Sequence, residues 1–385
     1  HQDPNRGNAL RTYIPTPPES QLVGEPKPAK AREARLSIIL LPYSIFPMIP
    51  LPKNALMLAP MVGITNRAFR TLVAELGGPD RYVTEMASAE AFSSHAQYED
   101  CYTDARPSPA TTSVQFYARS VAAMVAACRE LSLRDEALRP DGIDLNFGCS
   151  APHIRKSGGG SAWSEDPEGA AALVAAARSA WPGTLSAKLR MGPDDDYARL
   201  LDFCAGLTAA GLDFIAIHPR TDNQKFKRKA RHDITARLAR DLAIPVAANG
   251  DIAGADAARG LFAEGAGAVM LGREAVRRPW IFATLRAELS GTPLSGAGQQ
   301  LDRLSVAGQQ LDRLSVALRF LELDAAFLPE KWQLETARRF FDYYCEPLSF
   351  AHHIKYKTMN SPSLGAMRST LEEYFAQVPG DLSIA

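Results

Sequence analysis

Short apolar runs recur along the middle of the chain, separated by alanine-rich stretches whose apolar positions fall at helical spacing. Eight runs stand out: ALMLA (55–59), RYVTE (81–85), TSVQF (112–116), GIDLN (142–146), LSAKL (185–189), FIAIH (214–218), PVAAN (245–249) and AVMLG (268–272). Apolar runs of this length read as strands buried on both faces, and such strands alternating with helices form parallel sheets. Eight units spread over roughly 230 residues fit a closed barrel better than an open sheet. The expected class is α/β, a (β/α)8 TIM barrel followed by a small all-helical C-terminal domain.

The pattern also divides the chain. The barrel is expected over 54–290, and a helical domain over 318–385, where Leu334, Phe340, Phe341, Tyr344, Leu371 and Phe375 recur without a strand pattern. Between them, 291–317 read as a linker in which AGQQLDRLSV occurs twice in tandem. Two copies are too few for a solenoid, so the duplication is expected to lengthen a linker helix. Residues 1–53 read as a disordered N-terminal extension, since 1–35 are rich in proline, charge and small polar residues. Met48 precedes the first strand, which makes 1–47 dispensable on this reading. The apolar stretch LSIILLPYSIFPMIPLP (36–52) is broken by four prolines. It is shorter than the roughly 20 residues that cross a bilayer, so no membrane span is expected.

Composition narrows the classes. Lysine plus arginine and aspartate plus glutamate each number 43, so the net charge is zero and any polyanion site must be local. Hydrophobic residues make up 46%, enough for a sizeable core. The five cysteines include no CxxC pair, which argues against a disulfide framework or a zinc site and suits a reducing, cytoplasmic setting. No metal is expected.

In a β/α barrel the chemistry collects where the C-terminal strand ends converge. The first strand ends in Pro60-Met61, the second in Glu85-Met86, the third in Gln115, and the fourth in Asn146 with Cys149. The fifth ends in Lys188 with Arg190, the sixth in His218 with Arg220, the seventh in Asn249-Gly250-Asp251, and the eighth in Gly272-Arg273. Any one of these is commonly a solvated loop residue; their convergence on one mouth is the signal. Amides and a cation at the seventh and eighth strand ends suit a phosphate. Gln115 and Lys188 suit the polar edge of a ring that gains negative charge on reduction, as a flavin does, with His218 as a further donor.

The segments LAPMVGITNRAFR, YVTEM, VQFYA, DLNFGCSAPHIRKSGGGSAW, AKLRMG, IAIHPRT, VAANGDI and MLGREAVRRPWIF closely resemble, in order, the tRNA-dihydrouridine synthases. The resemblance covers about 55–285 and extends to the helical C-terminal domain. It implies an FMN-holding barrel, tRNA as partner and substrate, NADPH as reductant, and FMN contacts from Pro60, Met61, Gln115, Lys188, His218, Asn249, Gly250, Asp251, Gly272 and Arg273. It makes Cys149 the catalytic acid that protonates uracil C5 while flavin delivers hydride to C6. The glycines at 158–160 would let the loop after it move. Asn146 and Arg190 are the expected partners of the uracil edge.

The run KFKRKARH (225–232) follows strand six, so Lys225, Lys227, Arg228 and Lys229 are expected to meet tRNA phosphates; HHIKYK (352–357) is a second basic group. A monomer is expected. The chain departs from the family in Ser150, where proline is usual, and Pro219, where glycine is usual. Two rival readings are a dihydroorotate-dehydrogenase-like FMN reductase of a small acid and a flavin-free tRNA-binding protein.

Overall fold

The computed structural model describes residues 51–225, 227–291, 305–306 and 309–384. Residues 1–50, most of the expected extension, lie outside the described residues, as does most of the first copy of the tandem repeat.

Eight parallel strands form a closed barrel in sequence order: β1 (Ala55–Leu58), β2 (Arg81–Ser88), β3 (Thr112–Tyr117), β4 (Gly142–Phe147), β5 (Thr184–Arg190), β6 (Phe214–His218), β7 (Val246–Asn249) and β8 (Ala268–Leu271). Closure is direct, with Ala55 opposite Ala268 and Leu58 opposite Leu271. All eight expected strands are present. β2 runs three residues past its expected end because its pairing with β3 shifts register between Val83 and Met86 and then continues to Ser88 opposite Tyr117. The Thr84 hydroxyl accepts the Gln115 amide across that irregularity. Such a bulge re-aims the strand end, as is common beside active sites.

Alternation along the strands sorts the core. Ala55, Met57, Ala59, Val83, Phe214, Ala216, Ala247, Ala268 and Met270 fill the barrel interior. Below them Arg81 is buried and closes the floor, donating to Asp141 Oδ2 at 2.6 Å and Ser113 Oγ at 3.3 Å. A charge this far from water is tolerated because a carboxylate and a hydroxyl meet it there.

The C-terminal part is helical as expected, with helices Arg313–Phe327, Glu330–Tyr344, Ala351–Met359 and Leu364–Gln377. Its first helix starts inside the stretch read as a linker, because the second repeat copy supplies an N-cap: Asp312 Oδ1 accepts Ser315 N at 2.6 Å and Ser315 Oγ accepts Asp312 N at 3.0 Å. Ser305-Val306 of the first copy instead pair antiparallel with Gln309-Gln310, so the described part of that copy does not lengthen a helix.

These helices do not stand apart from the barrel. Phe69, Leu72 and Val73 of helix Arg67–Glu75 share one apolar cluster with Phe320, Phe340 and Phe341. Phe320 stacks on Phe340 at 3.8 Å, and Phe340 lies 6.0 Å from Phe69. Arg319 grips Glu75 with two hydrogen bonds, at 2.7 and 3.0 Å. Among the described residues no helix is long and apolar enough to cross a membrane, and no cluster of potential metal ligands occurs.

Candidate active site

The C-terminal strand ends open into a cavity of about 500 Å³, within the range of small-molecule sites. The ten residues expected to contact the cofactor all line it, together with Cys149, Asn146 and Arg190. The four basic residues Lys225, Lys227, Arg228 and Lys229 do not enter it; their side chains are exposed on the rim. Backbone contacts hold that rim in place: Arg190 Nη1 donates to Lys225 O at 3.3 Å and Arg220 Nε to Arg228 O at 2.6 Å. In the second basic group, Lys355 is paired with Asp342 at 2.8 Å.

A continuous hydrogen-bonded chain crosses the mouth from β5 to the cysteine. Ser186 Oγ donates to Asp144 Oδ1 at 2.6 Å, and Gln115 Nε2 donates to Asp144 Oδ2 at 2.6 Å. Gln115 Oε1 accepts Asn146 Nδ2 at 2.9 Å, and Asn146 Oδ1 accepts the Cys149 amide at 2.8 Å. Asn146, expected to meet substrate, thus orients the cysteine turn with the same amide. Burial pushes the Asp144 carboxyl up, opposed by Gln115, Ser186 and Lys188.

Cys149 is half-buried. Burial raises its thiol above the ordinary value, opposed by the Ala151 amide and the nearby Arg190 and Lys188. Burial first, and then Arg190, lowers Lys188 to about 8. The glycines after the cysteine differ in role. Gly158 (φ +88°) has open space where a Cβ would sit. At Gly160 (φ +60°) a Cβ would lie 2.4 Å from Cys149 O, so this glycine seats the chain against the cysteine, and Ser161 N donates to Cys149 O at 2.9 Å.

On the opposite wall Gly250 has φ +114°, and a Cβ there would lie 3.0 Å from the His218 ring; His232 Nε2 bonds Gly250 O at 2.8 Å. Asn249 Nδ2 donates to Met270 O at 2.7 Å, tying β7 to β8. Gly272 and Arg273 open helix Arg273–Arg277 at the end of β8. Asp251 was expected on the cofactor, yet its side chain receives Arg220 Nη2 at 2.6 Å and Arg273 Nη2 at 3.3 Å. Burial would raise this carboxyl, but the Ala230 amide, Arg220 and Arg273 outweigh that and hold it below the usual range. Its side chain therefore holds Arg220 and Arg273 in place at the edge of the cavity that Asp251 lines.

The family model described as dihydrouridine synthase (Dus) matches residues 57–341. The chain belongs to the dihydrouridine synthase family. Among curated relatives, a probable tRNA-dihydrouridine synthase of Mycobacterium leprae (strain TN) is 33% identical over 267 residues, covering 62% of this chain and 69% of that protein. One of Mycobacterium tuberculosis (strain CDC 1551 / Oshkosh) is 35% identical over 251 residues, with 62% and 64% covered. A tRNA-dihydrouridine(16) synthase of Cupriavidus necator is 32% identical over 251 residues, with 62% and 76% covered. The match thus spans less than two thirds of the tuberculosis relative.

The fold accommodates Pro219 directly after β6. Arg220 N donates to His218 O at 2.7 Å, a tight turn centred on Pro219, and the fixed φ of proline suits such a turn.

Sequence reading passed over Asp144 and Asp222, and named Glu85 as a strand end without giving it a role. Asp144 shares a strand face with Asn146, and period-two alternation in GIDLN carries that signal. Glu85 is buried and accepts the Gly63 amide, anchoring the loop that carries Met61; burial pushes it up to about 7 against Arg70 and Arg339. Asp222 lies in the loop after β6 beside the cysteine segment, where the run of basic residues drew attention away from it.

Proposed function

We propose that this chain is an FMN-dependent tRNA-dihydrouridine synthase that uses NADPH to reduce the C5=C6 bond of a uridine in tRNA. The observation that carries the reading is one cavity holding, on one wall, a half-buried thiol beside two cations and, on the other, a glycine-lined anion seat. Family membership and the likeness to tRNA-dihydrouridine synthases support the reaction class.

The residues fit the flavin. The amides at Gly250 and Gly272, with Arg273, suit its phosphate, and any side chain at Gly250 would fill the space against His218. Gln115 and Lys188 suit the polar edge of the ring, and Pro60 and Met61 pack the apolar face. Bound FMN, once reduced by NADPH, supplies the hydride that reaches C6 of the uracil.

The chain's own residues do the rest. Cys149 gives the proton to C5, and its elevated titration keeps it protonated at neutral pH. Arg190 and Lys188 face charge that develops on the uracil carbonyls. A uridine stacked in folded RNA must leave its stack to enter, and Lys225, Lys227, Arg228 and Lys229 at the rim supply phosphate contacts. That exposed rim favours RNA over a small acid.

Incubation with NADPH and unmodified tRNA, followed by measurement of dihydrouridine, tests the proposal. The purified protein is expected to be yellow and active, and Cys149→Ala to keep its flavin while losing activity by at least about 100-fold. A yellow protein inactive on tRNA would support the small-acid reductase; a colourless one that binds tRNA would support the flavin-free scaffold.

A further inference from the structure

Two cations beside an acid are a liability. Lys188 and Arg190 stabilise negative charge on the reacting base, but they also favour the Cys149 thiolate, which has no proton to give. Burial already opposes them, and a negative charge on a rigid support would add to that opposition.

Asp222 has the right placement. Its carboxylate is 2% exposed and lies between three segments of the mouth. Its own amide donates to Gly192 O at 2.9 Å, in the loop after β5 that follows Arg190. Arg155, on the short helix Pro152–Lys156 that follows the cysteine, places Nη1 3.8 Å from Asp222 Oδ2. Ser161, whose amide holds Cys149 O, faces the same carboxylate. Arg155 also binds Glu165 in the next turn, Gly160–Glu165, which braces the cysteine segment internally. The Arg155–Asp222 contact is long, at 3.8 Å, but interactions between charges act over several ångströms when buried.

We propose that Asp222 is a positioning residue for the proton donor: its buried carboxylate tethers the Cys149 segment through Arg155 and stands against the positive charge of Lys188 and Arg190 beside the thiol. This rests on Cys149 being the acid. The charged groups facing the thiol are Lys188 and Arg190, which favour thiolate, and Asp222, which opposes them; the Ala151 amide also favours thiolate. Asp222 therefore acts through another residue and transfers no proton itself.

The test reads the thiol directly. Rates of iodoacetamide alkylation at Cys149, followed by peptide mass spectrometry from pH 6 to 10, give its titration midpoint without RNA or reductant. A chain inactive on tRNA would still report it, so this test and that of the proposed function fail separately. Asp222→Asn is expected to lower the midpoint by about one unit and raise labelling at pH 7.5 up to about tenfold. Asp222→Glu should restore most of the wild-type midpoint. Arg190→Met should raise the midpoint, and the paired variant Arg190→Met/Asp222→Asn, which removes one charge of each sign, should bring it back toward wild type. A folded Asp222→Asn protein with an unmoved midpoint overturns the proposal. If that variant does not fold, a paired variant indistinguishable from Arg190→Met overturns it equally.

Discussion

His218 shows how much a single contact decides. A guanidinium carries only donors, so Arg220 Nη1 at 2.9 Å makes His218 Nε2 the acceptor and places the ring proton on Nδ1. Burial first, and then Lys188, Arg190, Arg220 and Arg273, lowers this histidine to about 2. Contact and burial together favour the neutral ring as an orienting group. A group depressed on folding gives stability that is intact above its unfolded value of about 6.5 and lost as pH falls below it, by up to about 1.4 kcal/mol per unit. Nitrogen NMR of the labelled protein, with the signal assigned through a His218→Gln variant, should report the Nδ1–H tautomer unchanged from pH 8 to pH 5. An imidazolium signal at pH 6 would contradict it.

At the scale of the element, glycines placed two residues apart have opposite sensitivities. Gly160→Ala drives a methyl into Cys149 O, so we expect at least a tenfold fall in dihydrouridine formation and a lowered melting temperature. Gly158→Ala meets open space and costs only the positive φ, about 1 kcal/mol. Equal losses in the two variants would refute the distinction. The strand ends were legible in sequence because each apolar run stops at a polar residue, and barrel geometry sends every such end to one mouth. For Asp144 the alternation gave its face but not its role, since a buried carboxylate inside a strand makes sense only once Gln115 and Ser186 are seen beside it. The tandem repeat was misleading for a related reason. Ser-Val lies in a strand at 305–306 and in a helix at 315–316, and only the second copy leads into an apolar helix that packs on the barrel.

For the whole molecule, the shared core makes the helical part a partner of the barrel in stability as well as position. Asp324 lies in that part with no exposure, and neither carboxylate oxygen has a hydrogen-bond partner among the described residues. Burial alone pushes it up to about 8. A carboxyl raised on folding contributes stability that is intact below its unfolded value near 3.8 and lost as pH climbs through about 8. Melting temperatures should therefore fall between pH 6 and 8.5, and Asp324→Asn should flatten the decline, stabilising the protein by about 1–3 kcal/mol at the alkaline end. An unchanged slope in the variant would locate the pH sensitivity elsewhere.

Closure of the barrel through β1 and β8 also sets a timetable for synthesis. The first strand leaves the ribosome with one edge that only the last strand can cover. Helix Arg67–Glu75 waits longer still, because Arg319, the partner of Glu75, is 244 positions away. Until then a strand edge and the apolar face of Phe69, Leu72 and Val73 stand open to neighbours. The nascent chain thus carries these open surfaces from its first barrel strand and helix until β8 and the C-terminal helices arrive, which favours slow maturation and early protection by chaperones.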